Sequence, residues 1–332
     1  MRRPSPSLLR QVVRRTGQAA ATLLLVLATV FLLAHLAPGD PLSGASDAES
    51  FHRISPEREQ AIRDLYHLDE PLHRQLLLWF GDLARGDLGR SFHDRTLVRD
   101  KILQRLPITF GLNLFALVFM IGLAVPLGAL AAWRPGSALD RWAGASTYGL
   151  YAIPVFWAGL LLQILFAVRL GWLPLYGIAG PDAQELSWWL RMADRAAHLV
   201  LPVVCLGYGG LAYLSRFVRA NLLEGAQAEV KRAARARGMS EWSVVVRHGF
   251  RQAAVPMLTL AGFILPALVG GSVIVEEIFA IPGLGRLFVN AVFQRDIPVI
   301  MALTLLSGTA TLAGILLADL GYLVLDPRVR RG

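Results

Sequence analysis

Lysine is almost missing from this sequence: of its 33 basic residues only Lys101 and Lys231 are lysines, and neither follows a glycine. A G-x-x-x-x-G-K-[ST] loop is therefore absent, and with it the usual backbone cradle for nucleotide phosphates. Cysteine is scarcer still. Cys205 stands alone inside an apolar run, so no intramolecular disulfide framework exists and the residue reads as small packing in a helix. The histidines (His35, His52, His67, His73, His93, His198 and His248) are scattered, with no H-E-x-x-H and no Cys/His cluster, so no metal site is expected. Charge is low as well. Only 17% of residues are charged, where soluble domains carry about 25%.

What is plentiful is apolar: 55% of 332 residues, with a mean hydropathy of +0.49. The apolar residues come in blocks longer than a soluble core helix needs, which reads as an all-α membrane protein crossing the bilayer several times. The net charge of +9 is compatible with nucleic-acid binding, but the basic residues sit beside apolar runs, where membrane topology accounts for them. No nucleic-acid partner is expected.

Six spans follow: Ala19–Leu36, Ile108–Ala132, Trp142–Val168, Ala196–Leu214, Val255–Ile281 and Val299–Leu325. Each is long enough for a hydrocarbon core of about 30 Å. Arg2, Arg3, Arg10, Arg14 and Arg15 precede the first and hold residues 1–18 in the cytoplasm. His35 stands where a signal peptidase wants a small residue, so residues 19–37 are expected to stay as an uncleaved first helix. Residues 38–105 are then extracytoplasmic, polar and punctuated by Pro and Gly, with short helices expected at Pro56–Tyr66 and Leu72–Ala84.

Arg134 and Arg141 mark an internal second–third connection. Arg216, Arg219, Lys231, Arg232, Arg235, Arg237, Arg247 and Arg251 mark an internal fourth–fifth connection. Arg328, Arg330 and Arg331 put the tail, 326–332, inside. The external loop around Gly171–Arg195 carries Asp182, Glu185, Asp194 and the interfacial Trp172, Trp188 and Trp189. Prolines and glycines recur within the spans, among them Pro126, Pro154, Pro202, Pro266, Gly270 and Gly271. They serve either close packing or bending during a transport cycle.

Leu222–Pro256 organises the chain. Leu222–Arg237 lacks proline and is rich in Ala, Glu, Arg and Lys, all good helix formers. Glu224 and Glu229 lie toward its start and Lys231, Arg232, Arg235 and Arg237 toward its end, the order that complements a helix dipole. Gly238 is a helix stop, and Ser240 can cap a second short helix from Glu241. Small residues, Ala226, Ala228, Ala233, Ala234 and Ala236, let another surface come close. The plain alternative is a basic loop obeying the positive-inside rule.

RAARARGM, then RHGF and Pro256, resembles the EAA loop of ABC-transporter membrane subunits. Arg232 replaces the name-giving Glu, a form similar to the dipeptide/oligopeptide/nickel permease branch. APGDP (Ala37–Pro41), YHLDEP (Tyr66–Pro71), GDLGRS (Gly86–Ser91), LPIT (Leu106–Thr109), IPVFWAGLLL (Ile153–Leu162), GWLP (Gly171–Pro174), VEEIFAIPGLG (Val275–Gly285), RDIP (Arg295–Pro298) and DLGYLVLDPR (Asp319–Arg328) fit the same branch in order. Together they resemble the first of two paired permease subunits.

The resemblance implies a type I ABC transporter (importer) transmembrane fold, its transmembrane domain over 106–325, both termini cytoplasmic, in the bacterial cytoplasmic (inner) membrane. It implies a second permease subunit, two P-loop ATPase subunits and an extracytoplasmic substrate-binding protein. This chain would bind no cofactor; ATP and Mg would sit on the partner ATPases. It also implies that a coupling loop, 217–253, docks on those ATPases through Glu224, Glu229, Arg232, Ala233, Ala234, Arg235, Arg237, Gly238, Arg247 and His248. ATP-driven closure would rock spans three to five and switch the pore from inward- to outward-facing.

Glu276, at a family position, either lines the external mouth or caps a re-entrant turn at Pro282-Gly283; Asp319 pairs near the cytoplasmic end. The resemblance implies that the solute is a peptide or a related small solute such as glutathione or a nickel chelate. The rival class is an ATP-independent secondary transporter or channel, which needs ion-coupling carboxylates that the spans scarcely offer. A membrane enzyme needs a catalytic constellation. Gly89-Arg90-Ser91 begins like a nucleophile elbow, but Phe92-His93 follows where a second glycine belongs. No Ser/Lys dyad is read from the sequence.

Overall fold

The computed structural model describes residues 6–36, 60, 63, 69–225, 232, 236–243 and 264–325, and every regular element among them is helical. In chain order these are α1 (Pro6–Leu36), α2 (Leu72–Ala84), α3 (Val98–Trp133), α4 (Ala138–Ala152), α5 (Val155–Leu162), α6 (Trp188–Gly225), α7 (Ile264–Val269), α8 (Val273–Ile278), α9 (Leu284–Phe293) and α10 (Ile297–Leu325). A π-helical stretch, Gln163–Arg169, extends α5. Val13–Leu36 of α1, the whole of α3, Trp188–Glu224 of α6 and Ile297–Asp319 of α10 are long and apolar enough to cross a bilayer. At 36 residues, α3 is about 54 Å long and exceeds the hydrocarbon thickness.

Several expected boundaries change. Trp142–Val168 is not one continuous helix: α4 and the α5 segment through Arg169 meet at 98°. Pro154 is the cause. It has no N–H for the helix ladder and drives Ile153 into extended backbone, ψ 121°. The carbonyls at the break are served by α6, where Tyr208 Oη donates to Ile153 O at 2.6 Å and Cys205 Sγ approaches Val155 O at 3.5 Å.

Over the described part of Val255–Ile281, α7 and α8 are separate short helices, broken at Gly271 with φ +67°; positions 255–263 lie outside the described residues. The α3 helix begins at Val98, ten residues before the expected start of the second span at Ile108. Likewise α6 begins at Trp188, before the expected start of the fourth span at Ala196. Leu72–Ala84 forms as expected. Of Pro56–Tyr66 only residues 60 and 63 are described.

The chain divides into two compact units. The first comprises Met1–Thr109, Leu265–Val273 and Gly283–Leu317. Here α1 and α10 run antiparallel. Leu27 and Phe31 pack on Met301 and Ile297, joined by Phe92 and the α2 aromatics Trp79 and Phe80. Further along, a Cβ on Gly308 would lie 2.6 Å from Leu23 Cδ1. A second cluster joins Val98 and Ile102 to Leu284, Leu287 and Ala291 and to Val299, Ile300, Ala302 and Leu303.

The second unit comprises Phe110–Ile264, Ile274–Pro282 and Ala318–Gly332. Its centre is a parallel seam between α3 and α6. Ala124, Gly128 and Ala132 recur at four-residue spacing and receive Leu211, Leu214, Val218 and Leu222. Gly207 and Gly210 return the fit, facing Phe119 and Met120. Small residues on both helices let the backbones approach, the common device of helix pairs in lipid. Along α6, α4 runs antiparallel: Asp140 meets Arg219 at one end and Ile153 meets Tyr208 at the other.

Candidate functional site

The expected coupling loop is described at its two flanks and at part of its centre. Glu224 is exposed in the last turn of α6. Arg232 and Arg237 are exposed, and Gly238 takes φ +73°, the left-handed backbone that a helix stop favours. Ser240 Oγ accepts the N–H of Ser243 at 3.3 Å, capping the single helical turn Glu241–Ser243. Glu229, Ala233, Ala234, Arg235, Arg247 and His248 lie outside the described residues.

The turn between α3 and α4 reaches both flanks of that loop. Arg219, six positions before the end of α6, grips Asp140 with its guanidinium fork: Nε donates to Oδ1 at 2.6 Å and Nη2 to Oδ2 at 2.7 Å. Asp140 is buried at 9% exposure. Its Oδ2 also accepts the Gly136 N–H at 2.9 Å, and its own N–H is capped by Ser137 Oγ at 3.2 Å. Two parallel charge-assisted bonds fix orientation as well as distance. On the other flank, Trp242 meets Trp133 edge-to-face at 5.6 Å, and the Arg134 guanidinium lies 4.5 Å from the Trp133 ring centre. Sequence reasoning counted Arg134, Arg141 and Arg219 as topological charges and passed over Asp140. Its signal was present: it is the one acid in the basic stretch Trp133–Arg141.

The first unit holds a buried charge cluster that the sequence did not announce. At the end of α2, Gly86 (φ +79°) closes a Schellman turn, with Asp87 N–H on Asp82 O and Gly86 N–H on Leu83 O. At the end of α9, Arg295 (φ +54°) does the same, with Asp296 N–H on Ala291 O at 2.8 Å. These turns, GDLGRS and RDIP, then bind each other. Ser91 Oγ donates to Asp296 Oδ2, and the Phe92 N–H donates to Asp296 Oδ1 at 3.0 Å. Lys101 Nζ donates to Ser91 Oγ at 2.8 Å and pairs with Asp94 at 2.8 Å and Asp296 at 3.8 Å.

Ser91 and Lys101 thus meet through one hydrogen bond. The pair nonetheless lacks the arrangement of a nucleophile and its base. Ser91 is 1% exposed and its hydroxyl is committed to a carboxylate, while Lys101 is held between two carboxylates. Burial pushes the Asp94 carboxyl up, but hydrogen bonds from Lys101 and Thr96 outweigh it and hold it well below the usual carboxylate range.

Of the pore candidates, Glu276 is fully buried in α8. Its carbonyl accepts the Ile281 N–H at 2.8 Å, and Ala280 (φ +50°) donates to Glu277 O. This is a third Schellman turn, and it delivers Pro282, exposed, and Gly283, buried, to the start of α9. Gln163 Nε2 supports the same turn, donating to Leu175 O at 2.8 Å and Ile278 O at 3.1 Å. Asp319 is partly buried in α10.

Residues 124–331 match the family model described as "Binding-protein-dependent transport system inner membrane component", and residues 8–113 match that of the N-terminal region of such membrane components. The oligopeptide transport system permease protein AppB of Bacillus subtilis is 38% identical over 320 residues, covering 96% of this chain and 98% of that one. The dipeptide transport system permease protein DppB of Escherichia coli is 31% identical over 339 residues, covering 97% and 99%. A chain from inward-facing structures of the MetNI methionine ABC transporter has the same fold, with a TM-score of 0.50 at 19% identity over 68% of this chain and 96% of that one. The chain belongs to the binding-protein-dependent transport system inner membrane components: it is a multi-pass ABC-transporter permease subunit of the cytoplasmic membrane, not an enzyme.

Proposed function

We propose that this permease forms half of the translocation pathway of an ATP-driven importer for peptides. The observation that carries the substrate class is similarity along almost the whole chain to permeases named for oligopeptide and dipeptide transport. The second half is a paired permease. Two P-loop ATPase subunits hold ATP and Mg, and an extracytoplasmic binding protein delivers the solute. In this reading the chain crosses the membrane six times with both termini inside, so that the loop 217–253 lies in the cytoplasm and takes up ATPase movement around Arg232–Gly238. The exposed Arg232 and Arg237, the left-handed Gly238 and the Ser240 cap support a docking element there. Rocking of the helices joined to the loop then switches the access of a pore near Glu276, Pro282 and Gly283. A ligand moves such an equilibrium only through its preference for one state, so ATP on the partner subunits and the loaded binding protein must favour different states.

The test is uptake of labelled di- and oligopeptides by proteoliposomes holding both permeases and both ATPases, with the cognate binding protein outside. Uptake is expected only with ATP on the ATPase side, and it is lost on deleting Arg232–Gly238 together with ATPase co-purification. Uptake that persists without the ATPases would make the chain a secondary transporter.

A further inference from the structure

The geometry points to Asp140 as a positioning residue for energy coupling: it clamps the outgoing limb of the coupling loop to the α3–α4 turn, whose Trp133 meets the returning limb. This rests on the proposal that the loop receives force from ATPase subunits. Trp133–Asp140 is a short connection, yet it holds Arg219 on the outgoing limb and Trp242 on the returning limb. The contacts differ in kind. Trp133 and Trp242 share a ring edge and face, which tolerates sliding. The Arg219–Asp140 fork fixes two bonds at 2.6 and 2.7 Å in one plane, with Asp140 anchored from behind by the Gly136 N–H at 2.9 Å.

The helices around this point differ in how they are held. A Cβ on Gly128 would sit 2.5 Å from Ser215 O, so α3 and α6 are in backbone contact and move together. At this end, α4 is tied to α6 by the Asp140 carboxylate; at the far end, Tyr208 ties α6 to Ile153. With both ties, displacement of the loop turns α4 along with α6. With the Asp140 tie loosened, α6 moves and α4 lags, so ATP is consumed with less solute moved. A lysine keeps the charge at position 219 but not the planar fork, and it does not transmit the turn.

The experiment uses the assembled transporter, both permeases, both ATPases and the binding protein, in proteoliposomes. It reads peptide taken up per ATP hydrolysed, with ATPase co-purification recorded beside it. Asp140→Asn and Arg219→Lys are each expected to lower that ratio about tenfold with the ATPases still bound. The reciprocal pair Asp140→Arg with Arg219→Asp is expected to recover it to within about threefold, the double-variant signature of a direct pair. An unchanged ratio in the single variants overturns the proposal. So does a loss that merely follows loss of bound ATPase and that the reciprocal pair does not repair, since that is a folding role. ATP-independent uptake by the unaltered transporter instead removes the proposed function itself. ATP-dependent uptake with an unchanged ratio in the variants removes the clamp alone.

Discussion

Ser91 and Asp296 are hydrogen-bonded across 205 residues of sequence, and the Phe92 N–H completes the carboxylate at 3.0 Å. Lys101 joins them, so one buried carboxylate serves two neutral donors and one cation. Removing it leaves the Ser91 hydroxyl and the Phe92 N–H without this acceptor, while Lys101 keeps Asp94 and Ser91 at 2.8 Å. Asp296→Ala is expected to destabilise the permease by about 2–6 kcal/mol, the cost of leaving two buried donors without their acceptor. Ser91→Ala removes a single hydroxyl and is expected to cost about 1–3 kcal/mol. Thermal unfolding of the detergent-purified transporter gives the order. A larger loss for Ser91→Ala than for Asp296→Ala would show that the carboxylate is not the centre of the cluster.

Asp94 gives the same region an acid limit. Its folded-state pKa lies below its unfolded value, so its contribution is complete above the unfolded pKa of about 3.9 and disappears as pH falls through the folded value. No loss is expected between about pH 5 and 8 on this account. Below about pH 4 the unaltered protein should lose melting temperature more steeply than Asp94→Asn, which has no carboxylate to protonate. Parallel curves for the two proteins below that pH would remove Asp94 from the account.

What could be read from the chain depended on range. Helix content, the apolar runs, the helix at Leu72–Ala84, the stop at Gly238 and the cap at Ser240 are local effects of periodicity and backbone preference, and the structure has them. Gly89-Arg90-Ser91 and RDIP were visible as separate strings. That Ser91 would find Asp296 depends on two Schellman turns pointing at each other, which no local pattern encodes. Asp140 was missed because a lone acid among arginines looks like charge balance. Its meaning lies in Arg219, 79 positions away. The 98° break was half legible: Pro154 announced a weak point, but the Tyr208 hydroxyl that meets the Ile153 carbonyl comes from another helix, 55 positions away.

The α3–α6 seam makes a sharp prediction about two glycines of one helix. A Cβ on Gly128 would lie 2.5 Å from the backbone oxygen of Ser215 and 2.9 Å from Val218 Cβ, and neither can step aside cheaply. Nothing lies within 4 Å of the corresponding position at Gly122. Gly128→Ala should therefore cost about 1–3 kcal/mol by overpacking, while Gly122→Ala should be neutral or mildly favourable through helix propensity. Melting curves of the two variants, side by side, decide. Equal behaviour would mean that the seam is loose enough to absorb a methyl group.

The break in the third expected span is held from two sides, and the two can be separated. Pro154 prevents the ladder from closing, and Tyr208 occupies the Ile153 carbonyl at 2.6 Å. Tyr208→Phe keeps the ring and deletes one donor, so its expected cost is about 1–3 kcal/mol for a carbonyl left without that partner. Pro154→Ala restores an N–H, but the Ile153 carbonyl still has its partner on α6, so the bend should persist. Only the combined variant leaves the helix free to straighten. Spin labels at the exposed positions Trp142 and Val168, each changed to Cys, report this directly, because Cys205 is buried and escapes labelling. A straight helix would separate those positions by about 39 Å. The bent one should give a clearly shorter distance in the unaltered background and in Pro154→Ala, lengthening only when Tyr208→Phe is added. Straightening by Pro154→Ala alone would make the proline the whole cause and reduce Tyr208 to packing.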